Sequence, residues 1–365
     1  MRFSKRRTAR PLALLSSLPL ATLCLPASGA PLGNYLRVDT FIYSEAITIK
    51  ALGDNWRAPL HGGEVAMATG RMEAGVSWGQ WQLGAIRRED YFYRFDADTA
   101  RLIHASKNKI PLTPGDEYNI ALATNSQQSY GMKLGYRLAL HTGLNGTLAV
   151  SLLRGTEMMD GGLQGSARVI DDKDYDIAFD VDYRYSEDAL FDRQTARPDG
   201  AGYAIDLALS WQATPQWRLD FTGLDLLARI TWYNAPFTRA SGNSDNKEYD
   251  DNGYVVYKPA ISGLESNRDA TQTLPRKLFL NSHYQLTRQL ALLAEYSDYD
   301  IQRFFSAGLA FHLNDSQIAL LYDVATQAYS ARLNTPHLQF KLSSDASEIN
   351  RARLVALSLA LQWQY

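Results

Sequence analysis

The chain is 365 residues long, 45% hydrophobic and 21% charged, with one cysteine and a formal net charge of -2, which admits one large domain or two ordinary ones. Outside the first thirty residues no run of eighteen uncharged apolar residues occurs, so a helical membrane protein is excluded, and so near-neutral a balance gives no footprint for nucleic acid. Aromatics reach 11%, with 21 Tyr and 7 Trp spread along the whole length, a composition that points to sheet.

Arg2, Lys5, Arg6, Arg7 and Arg10 form a basic n-region, and Pro11 to Ala30 carries no charge and is leucine-rich. This is the pattern of a secretory signal peptide. Ala27 and Gly29 sit two apart, so cleavage is expected after Gly29, giving a leader at 1–29 and a mature domain at 30–365. Leu23 before Cys24 speaks against a lipoprotein, and Thr8, Ala9 and Arg10 after Arg6-Arg7 speak against twin-arginine export. The leader carries five of the 37 basic residues and no acidic one, leaving 32 basic against 39 acidic residues. Without Cys24 the exported domain has no disulfide to hold it, and main-chain pairing in a sheet is the obvious substitute.

The mature chain reads as strands. In 129–141, Tyr130, Met132, Leu134, Tyr136, Leu138 and Leu140 share one face, with Lys133 and Arg137 on the other. In 174–185, Tyr175, Ile177, Phe179, Val181, Tyr183 and Tyr185 oppose Asp174, Asp176, Asp180 and Asp182. In 201–212, Tyr203, Ile205, Leu207, Leu209 and Trp211 oppose Asp206 and small residues. Period two over this length is strand. Strands of soluble proteins run about five or six residues, whereas about nine to eleven tilted residues cross a bilayer core. These are long enough, and aromatics at the ends of each apolar stripe suit interfacial girdles.

The patterned segments are 35–49, 64–78, 81–96, 129–141, 146–155, 174–185, 201–212, 217–233, 276–286, 290–300, 303–313, 316–329 and 351–365. Both ends of such a barrel lie in the periplasm, which requires an even count, so 163–171 is expected to return the chain and bring the total to fourteen. The pair 100–107 and 116–125 would raise it to sixteen. Tight connections at 79–80, 142–145, 213–216, 287–289 and 314–315 carry turn chemistry. They interleave with long ones at 50–63, 186–200, 234–275 and 330–350, the asymmetry of a membrane barrel.

On the last strand Arg353, Val355, Leu357, Leu359, Leu361, Trp363 and Tyr365 occupy one face. The leader, the strand pattern and this terminal stripe together resemble Gram-negative outer-membrane β-barrel proteins, whose last strand characteristically ends in an aromatic residue. No individual family is singled out. The resemblance implies an outer-membrane location, contact with its lipid, and recognition by the barrel-assembly machinery through Trp363 and Tyr365. The expected fold is all-β: a transmembrane antiparallel β-barrel of 14 to 16 strands, with tight periplasmic turns and longer extracellular loops.

A barrel that wide is not filled by side chains alone. Its lumen takes the polar faces: an acidic row of Asp174, Asp176, Asp180 and Asp182 with Asp206 on the next strand, and a basic row of Lys133 and Arg137, joined by Arg218 and Arg229. Opposed rows would set up a transverse field of porin type; for the acidic row an ordinary solvated lumen is expected over a cation-attracting wall or a metal site. The segment 234–275 folds inward as a constriction or outward toward a partner. A calcium loop at 248–253 fails, with Glu248 first and Pro259 twelfth. His104 and Ser106 resemble the His-x-Ser element of outer-membrane phospholipases but depart from it at Lys107 and Asn108. The six histidines include no pair at two- or four-residue spacing, leaving a zinc site without support. No cofactor fingerprint is present. Three classes remain open: a porin-like channel for small hydrophilic solutes, a non-enzymatic barrel serving export, adhesion or envelope assembly, and an outer-membrane hydrolase. The first is expected, without enzymatic activity, metal or cofactor.

Overall fold

The computed structural model describes residues 32–171, 174–244, 247–249, 255–257 and 260–364. The expected leader, Tyr365 and positions 250–253 of the calcium-like stretch lie outside the described residues. Strands β1 (Leu32–Ser44), β2 (Val65–Trp78) and β3 (Trp81–Phe95) lead into the long β4 (Glu117–His141) and β5 (Leu144–Val169). There follow β6 (Tyr175–Tyr185), β7 (Asp199–Gln212), β8 (Trp217–Asn243), and the short hairpin of β9 (Lys247–Tyr249) and β10 (Val255–Tyr257). The wall is completed by β11 (Ala260–Thr273), β12 (Lys277–Gln285), β13 (Leu290–Asp298), β14 (Arg303–Leu313), β15 (Ser316–Asp323), β16 (Tyr329–Asn334), β17 (Leu338–Ser344) and β18 (Leu354–Gln364). Helices α1 (Ile49–Gly53) and α2 (Ala97–Asn108) sit in the long connections.

Neighbouring strands run antiparallel, and β18 returns to β1 in unbroken register from Gly33 opposite Gln364 to Tyr43 opposite Leu354. The wall therefore has no seam. β6 and β7 lie end to end along β5, and β11 and β12 lie end to end along β8, so each pair fills one position in the wall. The result is a closed barrel of fourteen strands.

That total agrees with the expected minimum, but its members differ. Segment 163–171 does not return the chain; it is the far half of β5, while 174–185 and 201–212 share one wall position. The missing crossings come from β17, inside the expected 330–350 connection, and β16, which lies in it but for Tyr329. Of the pair proposed to raise the count, 100–107 belongs to α2 and 116–125 begins β4. Asp96 explains the helix: its carboxylate accepts the Thr99 N–H at 2.7 Å, the N-cap arrangement that satisfies an orphan donor. In 234–275 no free loop is formed along its described strands, since 234–243 continues β8 and β11 pairs back onto it.

Outward-facing side chains form an apolar belt. Leu292, Leu309 and Leu320 stand side by side in register on β13, β14 and β15, as do Val38 and Leu359 across the closure. Many are open to the surroundings, Leu152 at 68% and Leu320 at 62%. Exposing one such side chain to water costs about 1.5–3 kcal/mol, so a continuous belt matches hydrocarbon. No helix among the described residues is long and apolar enough to cross a membrane; the crossing elements are strands.

At one end the strands meet in tight turns. Gly79 (φ 55) and Asn314 (φ 55) supply the left-handed residues that two-residue hairpins need. Three others share one device: the hydroxyls of Thr214, Thr287 and Thr335 accept the N–H groups of Trp217, Leu290 and Leu338 at 3.1, 3.1 and 3.0 Å. At the opposite end the wall rises beyond the belt. On β5 the outward leucines give way to Arg154, exposed and 3.1 Å from Asp199. Above this level the aromatic face of β6 meets segment 186–198 rather than lipid: Val181, Tyr183 and Tyr185 are buried, with Phe191 against them. Asp188 pins the segment, accepting from the Tyr183 hydroxyl and from the N–H groups of Leu190, Phe191 and Arg193.

Candidate functional site

The inward faces carry charge at mid-height, and the charges meet across the lumen. In a first layer, Arg71 on β2 donates to Glu73 at 2.6 Å and to Asp206 on β7 at 2.5 Å, while Lys133 on β4 reaches Glu73 at 3.0 Å and Asp206 at 3.6 Å. In a second, Arg88 on β3 bonds Asp225 on β8 at 2.6 Å and Asp90 at 2.9 Å, and Lys277 on β12 lies 3.0 Å from both carboxylates. Gln127 donates to Asp90 at 2.8 Å. Each layer holds two cations and two anions. The balance matters, because an ionised group taken out of water is tolerated only when paired and hydrogen-bonded.

A local irregularity positions the key carboxylate. Asp225 adopts φ 59, and the register between β7 and β8 shifts there, between Ile205 and Leu207. This is a bulge, which re-aims a side chain at the cost of one ladder pair. The displaced Asp225 N–H is recovered by Asp206 Oδ1 at 3.0 Å, tying the two layers together.

Beyond the charges the lumen turns apolar. Phe41 stacks on Tyr299 with ring centres 4.6 Å apart and meets Phe304 edge-on at 5.1 Å, joining β1 to the opposite wall. Met67, Phe92 and Leu354 complete the cluster, and the Lys277 ammonium sits 5.5 Å above the Phe92 ring. On the other side Trp232, 0% exposed, packs with Ile86, Leu153, Met158 and Ile230. Its indole N–H donates to Gln272 at 3.0 Å, and Gln272 donates to Asn125 and Ser126 on β4. Opposite walls thus touch, and the waist is closed by the protein's own side chains.

Between the waist and the tight-turn end the lumen opens into a chamber of about 860 Å³. Its lining includes Arg218, Asp220, Asn281, His283, Glu295 and Lys341. Glu295 holds Lys341 at 2.5 Å and is also paired with Arg332. A smaller space of about 290 Å³ adjoins it, lined by Tyr35, Lys133, Arg137 and Gln362.

The expected site residues separate into two groups. Lys133 and Asp206 join one network, from strands expected to carry opposed rows. Arg137 lines the smaller space and donates to the Gln82 amide oxygen, when that group is turned toward it, at 2.8 Å. Arg218 lines the chamber and pairs with Asp220 at 2.9 Å. Asp174, just before β6, and Asp176, Asp180 and Asp182, on it, belong to the part of the wall above the belt, where Asp182 pairs with Arg239 at 2.6 Å; they do not meet Asp206. Arg229 faces outward over the Tyr203 ring at 5.6 Å. Trp363 is exposed on the outer face of β18.

The hydrolase pair is not assembled. His104 and Ser106 are on α2, where two residues span about 200° of rotation, and His104 Nε2 contacts the Ala58 carbonyl at 3.0 Å. No group of three or more His, Cys, Asp or Glu is placed to hold a metal among the described residues. Missed by sequence reasoning were Arg71, Glu73, Arg88, Asp90, Asp225 and Lys277. Their signal was a charged residue on the inward phase of a crossing strand, as in Leu224-Asp225-Leu226; their partners lie too far along the chain for spacing to reveal.

No family model matches the chain, and no curated protein matches it. Among solved structures it is similar to the P. putida toluene transporter TodX, at 11% identity over 92% of this chain and 89% of that one, with a TM-score of 0.36. It is similar also to the CymD monoaromatic hydrocarbon channel, at 9% identity over 92% and 87%, TM-score 0.35. A Pseudomonas aeruginosa FadL homologue matches at 9% identity over 92% and 90%, TM-score 0.35. Likeness this loose carries no substrate from one chain to another.

Proposed function

We propose that the chain is an outer-membrane channel for small hydrophilic solutes, held shut at its waist in this conformation. The observation that carries this reading is a polar space of about 860 Å³ inside an apolar belt, adjoined by a smaller one that reaches Glu73 and Lys133, two of the eight paired charges that span the waist. Packed apolar side chains would make a more stable permanent plug. A closure built partly of ion pairs can instead exchange partners with water or a charged solute. The outer-membrane location rests on the closed, edge-free wall and its belt, together with the expected leader.

Conductance in planar bilayers tests the proposal. The refolded mature protein is expected to be mostly closed, with rare openings. Asp225→Asn keeps a residue that tolerates the left-handed bulge but removes a charge shared by Arg88 and Lys277. It is expected to raise the open fraction at least about tenfold, equivalent to about 1.4 kcal/mol. Silence in both proteins at every voltage would reject conduction and favour a barrel serving export, adhesion or envelope assembly.

A further inference from the structure

We propose that His283 and His312 form a binding site for a borderline transition-metal dication, of the zinc, nickel or copper class, in the wall of the chamber. The two imidazoles come from β12 and β14, and their ring centres are 5.7 Å apart with planes at 84°. Both line the 860 Å³ chamber, so a hydrated ion can reach them. The decisive geometry is a shared point: the Nε2 atoms of His283 and His312 lie 3.1 and 3.0 Å from one atom, Nε2 of Gln317.

The identity of that atom fixes what the rings present. Gln317 Oε1 already accepts from Asn334 Nδ2 at 3.0 Å, which orients the amide with its nitrogen toward the rings. An amide nitrogen has two hydrogens and no acceptor capacity, so both rings meet it through Nε2 lone pairs; the Gln285 amide nitrogen lies 3.4 Å from Nδ1 of His312, beyond ordinary hydrogen-bond length, and leaves that assignment in place. Two neutral imidazoles with lone pairs converging on one point are the donor set that these metals prefer. Bond lengths of about 2.0–2.1 Å require each ring to move inward by about 1 Å. The Gln317 amide must swing aside to leave that point to the ion, and chamber water completes the coordination shell. The site needs the chamber but not conduction, so silent bilayers would leave it standing.

Copper(II) titrated into the full mature protein in detergent, followed by electron paramagnetic resonance, tests the site. One saturable ion per chain with two imidazole nitrogens in its spectrum is expected. His283→Gln and His312→Gln should each weaken binding more than about tenfold, the double variant should abolish it, and His104→Gln should leave it unchanged. Absence of saturable binding, a spectrum lacking two imidazole nitrogens, or binding that survives the double variant would overturn the proposal. The wild-type spectrum decides the matter even if the double variant fails to fold.

Discussion

The indole of Trp232 occupies a slot left open by two glycines. A Cβ on Gly155 would lie 2.4 Å from the ring, and one on Gly200 would lie 2.8 Å from it. Gly155→Val is therefore expected to expel the ring and break its bond to Gln272, lowering stability by about 1–3 kcal/mol. Urea unfolding in vesicles, with Trp232→Phe identifying the shifted emission, checks this. Gly53→Ala, with nothing within 4 Å of the new methyl, serves as the silent control, and equal stability of both variants would show that the slot is not filled. At this scale alternation made the inward phase of Lys133 and Asp206 readable. Their meeting was not, because partners across a lumen are chosen by barrel curvature and by the Asp225 bulge rather than by spacing.

Segment 186–198 is an element without regular structure, yet it covers the aromatic face of β6 that periodicity assigned to lipid. Periodicity reports only that a face is apolar; a loop satisfies it as well as acyl chains do. Burial alone would raise the Asp188 carboxyl, but hydrogen bonds from Tyr183 and from the Phe191, Leu190 and Arg193 amides outweigh it and hold the group below the usual carboxylate range. A group whose folded pKa is depressed contributes its stability above its unfolded value, about 3.9, and loses it as pH falls through the folded value. The segment is thus expected to be firmly docked at pH 7 and released as pH falls below the usual carboxylate range, read as faster hydrogen exchange in 186–198. Asp188→Asn should loosen it at pH 7 and flatten the pH dependence; protection in the unaltered protein that acid does not reduce would refute the pinning. The hairpin of β16 and β17 was missed for a different reason, since its six- and seven-residue strands fall below the length sought. Its turn was nevertheless written in the chain: Thr335-Pro336-His337-Leu338 repeats the pattern of Thr214-Pro215-Gln216-Trp217, and both threonines cap in the same way.

For the whole molecule, belt and upper wall are distinct surfaces though both expose leucine. Leu320 stands within the belt, and Leu264 on β11 is exposed above it. Leu320→Lys is expected to cost about 2–4 kcal/mol in lipid vesicles, while Leu264→Lys should stay within about 0.5 kcal/mol; similar penalties for both would move the membrane boundary. The architecture was legible because alternation, strand length and turn spacing all pointed to one closed sheet. The closed waist was not, since it depends on which walls touch. The pairing of β1 with β18 has a consequence for biogenesis. It joins the first and last strands described in the wall, so until β18 is in place the sheet carries two bare margins, each a template for wrong partners. Circularity cannot be reached in instalments, and a polypeptide cut short by one strand is left as an open ribbon in search of an edge.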